Sequence, residues 1–106
     1  MQRVSAVISS GGTASTEIKN NHLAVMLIEF PTMTGTAATL TGSNDGYGTS
    51  GTLGDKDGNL SITSPSTRSV AVPAAITMGC TSFKIVSGSA EGADRTIYIT
   101  LNDFAG

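Results

Sequence analysis

The sequence predicts an all-β domain, an antiparallel β-sandwich of jelly-roll type with about seven or eight strands, on three observations. No window of eleven or more residues places apolar residues at i, i+3, i+4 and i+7 with polar residues between them, so the amphipathic-helix pattern is missing. The β-branched residues Thr, Val and Ile together supply 29 of the 106 residues, and such side chains favour the pleated state. Short runs of these residues are separated by turn chemistry at Gly11-Gly12, Asn44-Asp45-Gly46, Asp57-Gly58-Asn59, Ser64-Pro65-Ser66 and Glu91-Gly92.

Strands are predicted over residues 3–9, 23–30, 37–42, 59–63, 69–72, 82–87 and 95–101. Residues 1–9 read either as a first edge strand or as an arm. Met1, Gln2, Arg3 and Val4 form a terminal β-forming segment that could add to the sheet edge of a neighbouring subunit. Pairing within its own sheet is the simpler outcome. Leu23, Ala24, Val25, Met26, Leu27 and Ile28 are continuously apolar, which predicts a central strand covered on both faces. Glu29 interrupts that run. A carboxylate buried there unpaired is costly, so an edge position, a salt bridge to Lys84 or Arg95, or a subunit contact is expected, the salt bridge first. In the last run Ile97, Ile99 and Leu101 share one face and Thr96, Tyr98 and Thr100 the other, as in a half-buried antiparallel strand. Residues 42–57 hold little apolar surface and read as a long exposed loop, a candidate contact surface carrying Asp45 and Tyr47.

With 106 residues the chain is one domain, residues 1–106, without linker or internal repeat. Only 13% of residues are charged, while Thr 15, Ser 13 and Gly 13 supply much of the polarity. The net charge is −2, and Arg3, Lys19, Lys56, Arg68, Lys84 and Arg95 are scattered singly. Phosphate backbones and anionic lipids select for clustered basic residues, so neither nucleic acid nor membrane is an expected partner. The 39% apolar content supplies core material that disordered chains lack. One cysteine cannot form an intrachain disulfide, and the first ten residues have no apolar run of signal-peptide length. The expected site of synthesis is therefore the cytoplasm.

No enzymatic constellation emerges, and no catalytic, cofactor or metal residue is assigned. His22 and Cys80 are the only histidine and cysteine, they fall in different segments, and no third residue accompanies them. Cys80 reads as a small buried hydrophobe and His22 as the entrance to the central strand. Asp55-Lys56-Asp57-Gly58-Asn59 has a calcium-loop flavour at Asp55 and Asp57, but an EF-hand needs more ligands and a closing Glu. A hairpin turn at Asp57-Gly58 is the expected structure. Asn44-Asp45-Gly46-Tyr47 presents either an aromatic and polar pair to a sugar or an ordinary turn. Gly11-Gly12 lacks the further glycines and the helix of a nucleotide loop.

The order of motifs carries a resemblance. IKNNHLAVMLIEFPTMTGTAATLTG begins at Ile18 and leads into Ser43-Asn44-Asp45-Gly46. Ser69-Val70-Ala71-Val72-Pro73-Ala74 follows, then Phe83-Lys84-Ile85-Val86-Ser87-Gly88-Ser89 and Asp94-Arg95-Thr96-Ile97-Tyr98-Ile99. Over nearly its whole length the chain resembles small tailed-bacteriophage virion proteins, although it has no Trp and its loop after Asp-Gly is rich in Gly. The resemblance implies a jelly-roll-related sandwich and no catalytic residues. It also implies a structural role, foremost capsid decoration or cementing on the major capsid protein at the virion surface. The expected assembly is a homo-oligomer, a trimer matching local threefold positions of a shell. A carbohydrate-binding adhesion module and a tail or baseplate subunit are the alternatives.

Overall fold

The computed structural model describes residues 2–102. In chain order these form β1 (Gln2–Ile8), β2 (Ile18–Lys19), β3 (Ala24–Glu29), β4 (Ala37–Ser43), β5 (Gly51–Thr52), β6 (Gly54–Asp55), β7 (Gly58–Asn59), β8 (Ile62–Thr63), β9 (Ser69–Ala71), α1 (Ala75–Met78), β10 (Ser82–Ser87) and β11 (Arg95–Asn102). The protein is nearly all β. One sheet has the order β1-β11-β3-β9, and the other β2-β10-β4-β5 with β8 also on β4. All neighbours are antiparallel.

The two sheets face each other across one core. Ala6, Ile8, Val25, Ile28, Ile97, Ile99 and Leu101 come from the first sheet, and Ile18, Ala38, Leu40, Ile62, Phe83 and Ile85 from the second. The alternation in β11 appears as read, with Ile97, Ile99 and Leu101 buried and Thr96 and Tyr98 exposed. Its register with β3 shifts at Thr100/Leu101.

Several expectations change. β3 lies between β11 and β9, hence inside its sheet, but its outer face is not covered: Met26 is 38% exposed. The apolar run has another cause. Ala24 and Val25 are both buried where α1 packs on the start of the strand, and the Val25 amide donates to Thr77 Oγ1 at 3.0 Å. The predicted strand 59–63 is two pieces, β7 pairing with β6 and β8 with β4. The expected long loop is also structured, because β5 adds to β4 and β6 and β7 make a hairpin across Lys56-Asp57. The hairpin turns at Lys56-Asp57, one residue before the expected Asp57-Gly58, and Gly58 opens β7 at φ 147°, backbone space that L side chains rarely adopt.

Residues 2–8 pair with β11 without interruption, from Gln2↔Leu101 to Ile8↔Arg95. Gln2, Arg3 and Val4 are therefore part of a first edge strand of their own sheet rather than a detached arm. Met1 lies outside the described residues.

Candidate contact surfaces

The outer face of the first sheet centres on Tyr98. Alternation along β11 turns its ring away from the core, where it is 39% exposed. The register places Tyr98 between Ser5 on β1 and Glu29 on β3. Arg3, two residues before Ser5, lies on the same face. Its guanidinium carbon sits 4.0 Å from the centre of the Tyr98 ring, and its Nε and Nη2 reach Glu29 Oε1 and Oε2 at 3.3 and 3.2 Å. Cation, ring and carboxylate thus span three strands. Glu29 is salt-bridged as expected, but to Arg3 and not to Lys84 or Arg95. Arg95 is instead held by Glu91, and Lys84 stands on the other sheet over Tyr47.

The second predicted surface lies on the opposite side of the sandwich. Lys84 projects outward from β10 between the buried Phe83 and Ile85, and its ammonium is 4.5 Å from the centre of the Tyr47 ring. Tyr47 is half-buried, and its hydroxyl donates to the Thr41 carbonyl at 2.9 Å. Burial pushes the phenol above its ordinary pKa. The loop preceding the ring is ordered by one side chain. Asp45 Oδ1 accepts from Ser43 Oγ and from the Thr49 amide, both at 2.8 Å, and the Thr49 amide together with the Ser43 hydroxyl holds Asp45 below the usual carboxylate range. Tyr47 itself adopts φ 69°, the left-handed region that bulky residues rarely enter. Arg3 and Tyr47 are thus not brought together; each anchors its own face.

Beside Asp45 runs an open groove of about 520 Å³, with Asn44, Asp45 and Thr49 as its polar side and Leu53, Ile76 and Cys80 as its apolar side. Asn44 Nδ2 donates to the Gly79 carbonyl at 2.9 Å. Cys80 is buried, as read, and its thiol is pushed up by burial. His22 stands in the turn before β3 with Nδ1 3.0 Å from the Met78 carbonyl. In the β6–β7 hairpin Asp55 Oδ1 accepts from the Asp57 amide at 2.8 Å and Lys56 reaches Asp57 at 3.1 Å, contacts that shape a turn. Among the described residues no three or more His, Cys, Asp or Glu side chains gather as a metal site.

Sequence reasoning missed the most constrained side chain, Glu91, because it stands next to Gly92 in a segment that reads as a turn. Its side chain is wholly buried. It accepts from the Thr34 amide at 2.8 Å, the Gly35 amide at 3.0 Å, Ser87 Oγ at 2.7 Å and Arg95 Nε at 2.9 Å. Burial alone would raise its pKa, but the Thr34 amide, the Ser87 hydroxyl, the Gly35 amide and Arg95 outweigh that and hold it at about 2. Gly35 is obligatory here, since a Cβ would collide with Ser87 Oγ. The signal available in the sequence was Glu91 four residues before Arg95. The cluster ties the β3–β4 loop to the β10–β11 loop and is structural.

Compared with known proteins, the chain matches no family model and no curated protein sequence.

Proposed function

We propose that this protein is a phage virion structural protein, a capsid decoration or cement protein that binds the outer surface of major capsid subunits and stabilises the shell. The observation that carries the reading is the outer face of the first sheet. There Tyr98, clamped by Arg3 and Glu29, stands among Met26, Leu27, Ser5 and Ala71 on a four-stranded platform. Exposed Tyr and Arg held in fixed positions are the residue types that anchor protein interfaces. Their rotamers are already restricted, which lowers the entropy lost on docking. The motif resemblance supplies the capsid as partner and the virion surface as location. Strand order supports the finer reading of the sandwich as a jelly roll. Taken as eight strands with β5 and β8 sharing one edge position, the sheets run first-eighth-third-sixth from β1 through β9 and second-seventh-fourth-fifth opposite. In that numbering β9 is the sixth strand, β10 the seventh and β11 the eighth.

Such a protein acts by burying surface, at about 25 cal/mol per Å² of apolar area before the association entropy is subtracted. Repeated copies on a shell add avidity. Cryo-electron microscopy of the parent virion tests the proposal, with density for this chain expected on the capsid exterior. Density confined to the tail would overturn it in favour of a tail or baseplate subunit. The groove beside Asp45 favours a second reading, carbohydrate binding by an adhesion module, because it joins an apolar wall to Asn and Asp side chains. A glycan array without hits removes that reading.

A further inference from the structure

We propose that the free edge of β1 pairs with the same edge of a second copy, joining two first sheets into one continuous sheet about a twofold axis at Val4. The proposal stands apart from the capsid reading, and its test uses the isolated protein.

Edges differ sharply within the molecule. β9, at the far side of the first sheet, has three residues and runs toward Pro73, while β2, β5 and β8, at the edges of the second sheet, have two residues each. Short edges of this kind resist pairing with other chains. β1 is seven residues long, with no proline, no lysine and an unbroken register against β11, and its outer rim is open from Gln2 to Ala6, since Ser15 and Thr16 close it at Val7 and Ile8. Its single charge, Arg3, is withdrawn from the rim, because the guanidinium folds back over Tyr98 to Glu29.

The direction of the backbone groups is set by the far end of the strand. The Val7 amide donates to Thr16 Oγ1 and the Val7 carbonyl accepts from the Thr16 amide, so Val7 turns outward from the sheet. Alternation in an antiparallel ladder then turns Arg3 and Ser5 outward as well, and gives Gln2, Val4, Ala6 and Ile8 to β11. Among the described residues nothing bonds the outward backbone groups of Arg3 and Ser5. Isologous pairing offers three registers. Arg3 opposite Arg3 brings like charges together for two hydrogen bonds, and Ser5 opposite Ser5 also makes two. Arg3 opposite Ser5 makes four and places Val4 against the partner's Val4. Val4 is half-buried at the margin of the core, so this register also covers its exposed part. A head-to-tail ring would need a second long free edge, and among the described residues β1 is the single one. The edge therefore favours a closed pair over the trimer expected from a shell's threefold positions.

Multi-angle light scattering of the purified chain at about 100 μM is expected to give twice the monomer mass of 10.7 kDa. Ser5→Pro removes an outward N–H and leaves the β11 ladder intact, so it should give the monomer mass with an unchanged far-ultraviolet spectrum. Under oxidant Val4→Cys should cross-link into a covalent dimer, because directly opposed non-hydrogen-bonded residues lie within disulfide reach. Gln2→Cys, four residues from its own mate in this register, should not; Cys80 is buried and stays silent. A monomeric wild type at that concentration overturns the proposal, as does a folded Ser5→Pro dimer. If Ser5→Pro fails to fold, the two cysteine variants decide: equal cross-linking, or none from Val4→Cys, overturns it.

Discussion

At Glu91 four donors converge on a carboxylate that has no access to water, so its ionised form is favoured far more in the folded chain than in the unfolded one. A folded pKa of about 2 against an ordinary 4.5, at about 1.4 kcal/mol per unit, makes ionisation worth about 3 kcal/mol of stability. The sign follows from the direction. The folded pKa is depressed, so the contribution is complete above the ordinary value and is lost as pH falls from about 4.5 towards 2. Chemical denaturation at stepped pH should show this loss, and Glu91→Gln should remove most of it while destabilising the protein at pH 7 by about 3 kcal/mol. A variant with the wild-type acid profile would contradict this account. Glu29 offers the contrast. Its partner Arg3 is 55% exposed, so Glu29→Gln is expected to cost at most about 1 kcal/mol.

Elements were legible where their side chains announced a face. β4, β10 and β11 alternate along most of their length, and their predicted ranges fall within a residue of the observed ones. β2, β5 and β6 have two residues each, too few for any period, and their places are set by neighbours rather than by their own sequence. The same holds for α1, a single turn after Pro73 with no side-chain cap. Its place against β3 is fixed by two buried polar side chains, Thr77 and Asn20. Asn20 Nδ2 donates to the carbonyls of Leu23 and Thr77, and Thr77 Oγ1 accepts the Val25 amide and donates to Leu23. Thr77→Val keeps the volume but leaves the Val25 amide buried without an acceptor. A loss of about 1–3 kcal/mol is expected in urea titration, against little change if the hydroxyl were dispensable. Tyr47 and Arg3 could be named as surface candidates from their sequence positions. The pairing of Arg3 with Glu29 could not, because it crosses β11, which arrives only at the end of the chain.

For the whole molecule that late arrival matters most. β11 lies between β1 and β3, and β10 between β2 and β4, so the last two strands are interior to their sheets. Before they join, β1 and β3 have no neighbour in common, and the core lacks Phe83, Ile85, Ile97, Ile99 and Leu101, all of them essentially inaccessible. Such a chain has no partial fold from its N-terminal side; closing the long loops and gaining the core occur together. The fragment 1–94, which keeps every element but β11, should therefore show no cooperative thermal transition, and the full chain should fold in milliseconds to seconds, as sandwiches dominated by non-local pairing do. Circular dichroism of the fragment is the decisive measurement. A sigmoidal melt would mean that β1 and β3 find another arrangement without the strand between them, and that the closing strand covers a preformed core instead of completing it.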